Sequence, residues 1–306
     1  MSKILVATEK PFAKAAVDQI KAIVDGAGFE FALLEKYTDK KELLDAVKDA
    51  AALIVRSDKV TKEVLDVAKE LKIVVRAGAG YDNLDLEVCT ANGVVAMNTP
   101  GQNSNAVAEL VFGMMVFMAR NRYNGSAGTE LKGKKLGIHA YGNVGYYVAN
   151  IAKGFGMDVY AFDPFVPKEK IEADGIKVVN SVEELYSTCQ YVSLHIPANA
   201  QTKKSINREL LSKMPSKAVL VNTARKEVID EKSVLALMAE RDDFIYISDI
   251  APDSETFVND YANKVFFTPK KMGAQTAEAN INSGVAAANQ IVDYINNGVE
   301  TFRVNK

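Results

Sequence analysis

Residues 134–163, "KKLGIHAYGNVGYYVANIAKGFGMDVYAFD", decide the fold. A β-like run, "KKLGIHAYG", enters a glycine turn, "NVGYYVANIAKGFG" has the apolar spacing of a helix, and "DVYAFD" is a second strand ending in an acid. Strand, turn, helix and parallel strand form one βαβ unit of an α/β sheet. Within it, "AYGNVG" (140–145) is a glycine fingerprint that brings backbone N–H groups close to a dinucleotide pyrophosphate at a helix N-terminus. Ala140 stands in place of the first glycine, and its methyl group is tolerable if φ stays negative. Asp163 lies 18 residues after Gly145, where a carboxylate can accept from a ribose hydroxyl and repel a 2′-phosphate. Gly142, Asn143, Val144, Gly145 and Asp163 thus predict a cofactor site that prefers NAD to NADP.

The alternation continues on both sides of this unit. Before it, "KILVAT" (3–8), "ALIVRS" (52–57) and "KIVVRAGAG" (72–80) read as strands. Residues 12–24, "DKKELLDAVKDA" (39–50) and "TKEVLDVAKEL" (61–71) read as helices between them. After it, "YVSLHIP" (191–197), "AVLVNT" (218–223), "FIYISDI" (244–250) and "KVFFTP" (264–269) read as strands. Residues 276–297 form a closing helix, buried along Ile281, Val285, Val292 and Ile295. Residues 103–122 read as one long helix whose apolar centre is expected to bury against another domain or subunit. Two α/β domains of parallel βαβ units are predicted.

Composition narrows the partners. In 306 residues, Lys+Arg 37 against Asp+Glu 39 gives a net charge of -2, so neither nucleic acid nor an anionic membrane is expected as partner. The longest apolar run, Leu110–Ala119, is too short to span a bilayer, and "MSKILVATEK" is too briefly apolar for a signal peptide. Cys89 and Cys189 have no CxxC spacing and no neighbouring histidine, so buried thiols, a reducing cytoplasm and no metal are expected. Histidine is scarce, with only His139 and His195, each inside an apolar run.

Several segments in order resemble the D-isomer-specific 2-hydroxy-acid dehydrogenases. They are "VVRAGAGYDNLD" (74–85), "NTPGQNSNAVAEL" (98–110), "LGIHAYGNVG" (136–145), "SLHIPANAQT" (193–202), "LVNTARKEVIDE" (220–231) and "TPKKMGAQTAEA" (268–279). The resemblance implies two doubly wound domains. One is a flavodoxin-like substrate domain of residues 1–98 plus 280–306, the other a Rossmann NAD-binding domain of residues 99–279. Within the family, "LIVRSDKVT" (53–61) and "VVRAGAGYDNLD" look most like the members that oxidise D-3-phosphoglycerate to 3-phosphohydroxypyruvate for serine synthesis. An unphosphorylated 2-hydroxy acid such as glycerate, glyoxylate or lactate is the alternative substrate, and a non-enzymatic NAD-sensing regulator the alternative role.

The resemblance also implies site residues. Arg225, at the carboxyl edge of a strand, would hold the substrate carboxylate and polarise its carbonyl with a planar fork of donors. "RAGAG" (76–80) offers a backbone nest in which Gly78 and Ala79 would receive a carboxylate, while Arg56, Ser57 and Arg76 would bind the distal phosphate. His195, Pro197, Thr223, Ala224 and Asp249 match cofactor-contacting positions. His139 reads as a packed, hydrogen-bonded core residue, and neither histidine stands where the family takes its proton.

Most of the family reads Thr-Pro-His-x-Gly-Ala where this chain has Thr268-Pro269-Lys270-Lys271-Met272-Gly273-Ala274. Anchoring on proline selects Lys270 as the general base, and anchoring on Gly273 selects Lys271. The glycine anchor is preferred because "GAQTAEA" matches onward into the closing helix. Free lysine has a pKa of about 10.4, so the site must depress it by desolvation and neighbouring positive charge. The family's orienting glutamate is also missing, with Ser254 in its place and Asp253 and Glu255 out of register. A carboxylate close to Lys271 would raise its pKa, and whether Asp253 or Glu255 replaces the glutamate stays open. Only residues 121–127 separate "AR" from "GTEL", where the family often has a longer arm crossing to a second subunit. The apolar helix at 103–122 still implies a homodimer, with a smaller interface.

Overall fold

The computed structural model describes residues 1–305. The chain divides into two compact units, Met1–Asn103 with Ala274–Lys306, and Ser104–Gly273.

The first unit holds five parallel strands: β1 (Lys3–Thr8), β2 (Glu30–Glu35), β3 (Ala50–Val55), β4 (Ile73–Arg76) and β5 (Val95–Asn98). Their order is β2-β1-β3-β4-β5, the flavodoxin-like doubly wound arrangement. β1, β3, β4 and β5 are almost continuously apolar because helices cover both faces. Ile4, Val6, Ile54 and Val75 pack with the helices Lys14–Gly26 and Ala277–Asn297. Leu5, Leu53, Val55 and Val74 pack on the opposite face. Burying each such side chain fully stabilises the unit by about 1.5–3 kcal/mol before chain entropy is counted. The edge strand β2, "EFALLE", went unread in the sequence because it is half-exposed and follows neither strand pattern cleanly.

The second unit holds seven parallel strands: β6 (Lys135–His139), β7 (Asp158–Phe162), β8 (Lys177–Val178), β9 (Tyr191–Leu194), β10 (Val219–Asn222), β11 (Ile245–Ser248) and β12 (Val265–Phe267). Their order is β12-β11-β10-β9-β6-β7-β8. Strand order reverses between β6 and β9, and ligands of open α/β sheets bind beyond the carboxyl ends at such a switch point.

The long apolar helix is corrected. It runs Ser104–Ala119, and Ala108, Val111, Phe112, Met115 and Met118 bury beside Leu136, Ile138, Val148 and Ala152 of its own unit. The sheet and the helix Asn143–Gly154 cover these positions, so its apolar centre calls for no second subunit. The helical pattern stops short of Arg122 because Asn121, Arg122 and Tyr123 take φ values of 50°, 56° and 58°, a left-handed turn. No helix among the described residues is long and apolar enough to cross a membrane. No cluster of described residues could hold a metal ion.

Candidate active site

β6 ends at His139, and the chain turns through Ala140, Tyr141 and Gly142 into the helix Asn143–Gly154. Ala140 corrects the sequence reading: its φ is 82°, not negative. The Ala140 N–H still donates to Phe162 O at 2.9 Å, extending the β6–β7 ladder, and the chain turns at this residue. Its carbonyl then crowds the helix, where a Cβ on Gly145 would fall 2.4 Å from Ala140 O. A left-handed alanine costs about 1–3 kcal/mol.

Gly142 has φ -79°, open to any residue, and a Cβ built there meets nothing within 4 Å. The fold itself therefore does not require a glycine. Nor does a side chain cap the helix's first N–H groups. Open space before uncapped N–H groups suits a close-lying phosphate, so the residues present fit a dinucleotide.

Asp163 makes backbone contacts that the sequence hid. Its Oδ2 accepts from the Tyr141 N–H at 2.7 Å, and its Oδ1 accepts from Phe165 N at 2.7 Å and Val166 N at 3.1 Å. The same carboxylate thus staples the glycine turn to the segment following β7. A cavity of about 610 Å³ opens beside it, and Gly142, Asp163, His195 and Pro197 are among its walls. Asn143, Val144 and Gly145 form the first turn of the adjoining helix. Thr223, Ala224 and Asp249 do not line this cavity; they lie past the carboxyl ends of β10 and β11.

At those strand ends Asn222 shapes the bend, accepting from Ala224 N at 3.0 Å and donating to Arg225 O at 3.0 Å. Asp249 is fully buried and accepts from Gly273 N at 2.9 Å. A Cβ on Gly273 would fall 2.8 Å from the same carboxylate, which explains the glycine. This contact fixes the loop, and two residues earlier Lys271, its side chain still 40% exposed, brings its head to the strand ends. Lys271 Nζ donates to Ala224 O at 2.8 Å, with Thr223 O and Asp249 Oδ1 each at 3.3 Å. Lys270 is exposed.

Burial holds Lys271 below the ordinary lysine range; Asp249 opposes that shift and Arg225 adds to it. The carboxylate beside Lys271 is thus Asp249, which arrives from the end of β11. Asp253 instead pairs with Lys226 at 2.5 Å, and Glu255 is exposed beside the helix Thr256–Tyr261.

In the first unit, Arg56 and Arg76 sit at the carboxyl ends of β3 and β4. Arg56 is already engaged. Nη1 donates to Lys10 O and Pro11 O, Nη2 donates to Asn280 Oδ1, and the head stacks 5.0 Å from the Phe12 ring centre. Arg76 donates from Nε to Arg56 O, and its Nη1 occupies the place where a Cβ on Gly78 would stand. With φ 145° as well, Gly78 must be glycine, and it carries a guanidinium against its backbone. Ser57 and Ala79 are exposed. The sequence reading missed Asp58, which is buried and accepts from Glu9 N and the Tyr37 hydroxyl, both at 2.7 Å. A loop acid carries no periodic signal that could have revealed it.

A family model described as D-isomer specific 2-hydroxyacid dehydrogenase, NAD binding domain, matches residues 104–269. The chain is 37% identical over 268 residues to the D-3-phosphoglycerate dehydrogenase of Methanocaldococcus jannaschii, covering 82% of this chain and 51% of that protein. It is 31% identical over 281 residues to the hydroxypyruvate reductase of Thermotoga maritima, covering 86% and 90%. The chain thus spans about half the length of most of the curated relatives it matches. A solved NAD+-bound 3-phosphoglycerate dehydrogenase of Entamoeba histolytica is 48% identical with TM-score 0.90, covering 100% of this chain and 99% of that one.

Proposed function

The chain belongs to the D-isomer-specific 2-hydroxyacid dehydrogenase family, and we propose that it oxidises D-3-phosphoglycerate to 3-phosphohydroxypyruvate with NAD. The observation that carries this reading is Lys271 beside Arg225 at the carboxyl edge of the sheet whose switch point holds the dinucleotide turn. When bound, NAD supplies the two-electron acceptor for the hydride of the substrate's carbinol carbon. The Arg225 fork holds the substrate carboxylate and polarises the C2 oxygen. Neutral Lys271 takes the hydroxyl proton during oxidation, and its ammonium form returns a proton during reduction. Desolvation and Arg225 favour the neutral amine, while Asp249 keeps the lysine head aimed.

The first unit carries anion-binding groups of its own in this reading. Gly78 and Ala79 receive a carboxylate on backbone N–H groups, and Arg76, Arg56 and Ser57 take the phosphate. Arg56 has donors left for this, because three of its five N–H groups are already used. The names of the Methanocaldococcus and Entamoeba relatives support the phosphorylated substrate. The Thermotoga relative, a hydroxypyruvate reductase matched over 90% of its length, supports the unphosphorylated alternative. Serine synthesis in the cytoplasm completes the assignment; both cysteines are free and buried, in keeping with a reducing compartment. A homodimer also belongs to it, supported by the exposed rings of Tyr146, Tyr147 and Phe155 rather than by the apolar helix.

Steady-state kinetics test the assignment. With NADH, 3-phosphohydroxypyruvate should be reduced with far higher kcat/KM than hydroxypyruvate or glyoxylate. Equal use of all three would favour the unphosphorylated substrate. NAD binding without turnover of any would leave only a sensor.

A further inference from the structure

His139 is one of two histidines in the chain, and the proposed proton transfer does not use it. It is packed and hydrogen-bonded as expected, yet it is also a wall of the 610 Å³ cavity, next to Ala140, Gly142, Phe162 and Asp163. On β6, Leu136 and Ile138 face the core beneath the helix Asn143–Gly154, so Gly137 and His139 face the other side of the sheet. A Cβ on Gly137 would meet Leu185 and Cys189 there.

On that side the His139 Nδ1 lies 3.2 Å from the hydroxyl of Tyr186, and the two rings meet edge to face at 5.8 Å. Tyr186 is fully buried, and among the described residues its hydroxyl has no other partner. A buried phenol left without an acceptor would cost about 1–3 kcal/mol. Tyr186 therefore donates and Nδ1 accepts, which places the imidazole proton on Nε2. Burial drops the His139 pKa to about 4 and that of His195 to about 3, so both rings are uncharged near neutrality. Among the described residues, Nε2 of His139 has no hydrogen-bond partner, and it is not among the buried polar atoms sealed from solvent.

We propose that the Nε2–H of His139 donates a hydrogen bond to an acceptor oxygen in the adenosine diphosphate half of the bound dinucleotide. The proposal rests on the reading of this cavity as the NAD site. A neutral donor is well suited to the position. It meets an oxygen without adding a buried charge beside Asp163, and Tyr186 fixes its proton before the ligand arrives.

Long-range ¹H–¹⁵N spectra of the wild type, with calorimetric titration of NAD and ADP-ribose, test this. The free protein should show a protonated Nε2 and a bare Nδ1 on His139, with the Nε2 resonance shifting when either ligand binds. His139→Phe combined with Tyr186→Phe keeps the rings, loses the Nε2 donor and leaves no buried phenol without its acceptor. Its Kd for both ligands should rise roughly threefold to tenfold, the worth of one neutral hydrogen bond, and His139→Gln should recover part of the loss. A proton on Nδ1, an Nε2 resonance unmoved by ligand, or an unchanged Kd in the double variant would overturn the proposal while leaving the cofactor site intact. Failure of the wild type to bind either ligand would instead overturn the cofactor reading, and this proposal with it.

Discussion

Lys271 and Arg225 donate to the same oxygen: the carbonyl of Ala224 takes Lys271 Nζ at 2.8 Å and Arg225 Nη1 at 3.0 Å. Two cationic heads sharing one acceptor must lie close together. A substrate carboxylate or developing alkoxide there would face both donors. Desolvation lowers the Lys271 pKa most, and the Arg225 charge lowers it further.

Lys271→Ala should lower kcat by ~10²–10⁴-fold, the usual worth of a positioned acid or base. Lys270→Ala should be nearly silent, since Lys271 and not Lys270 brings its head to the Ala224 carbonyl and the Asp249 carboxylate. Collapse in the Lys270 variant with normal turnover in the Lys271 variant would move the role to Lys270. Normal turnover in the double variant would reject lysine catalysis.

The pH profile follows from the sign of the Lys271 shift. Oxidation needs the free amine, so its rate should climb as pH rises through the depressed lysine pKa and then level off. Reduction needs the ammonium and should fall over the same interval. Asp249 raises that pKa, so Asp249→Asn should move both midpoints to lower pH, while the amide oxygen can still accept from Gly273 N. An upward shift, read from kcat profiles in both directions, would contradict Asp249 as the opposing charge.

Asp163→Ala should narrow the preference for NAD over NADP, because the charge that repels a 2′-phosphate is gone. It should also lower Tm, because three backbone N–H groups lose their acceptor. Kinetics with both cofactors and thermal melts read the two effects separately. Equal use of NAD and NADP by the wild type would sink the ribose assignment.

Ala140→Gly should stabilise the protein by roughly 1 kcal/mol. Relief of the left-handed alanine outweighs the extra freedom that glycine gains in the unfolded chain. Denaturant titration measures it, and a destabilised variant would show that the methyl group packs usefully despite its backbone.

Arg76→Ala should raise KM for the phosphorylated substrate at least tenfold, as loss of a charge-assisted hydrogen bond of about 1.5–3 kcal/mol implies. An unphosphorylated 2-keto acid should lose much less. Arg56→Ala should in addition lower Tm, since its head ties the Lys10 and Pro11 carbonyls to Asn280. Equal losses with both substrates would make these arginines structural.

The sequence by itself determined the doubly wound architecture of each unit, because strand–helix alternation and the run from Lys134 to Asp163 admit few other packings. It also marked Lys271, Arg225 and Asp163, whose residue types carry chemistry wherever they fall. Only the tertiary structure decided what lies beside them. Asp249 sits far from Lys271 along the chain yet 3.3 Å away in space, and no local spacing encodes such a pair. The φ of Ala140 belongs to the turn that leads from β6 into the helix Asn143–Gly154, so the identity of residue 140 could not reveal it. The helix Ser104–Ala119 made the same point: composition showed that it must be buried, and only the packing of β6 and the helix Asn143–Gly154 showed against what. Periodicity reports how much of an element leaves water; which partner receives it is settled by contacts between residues distant in sequence.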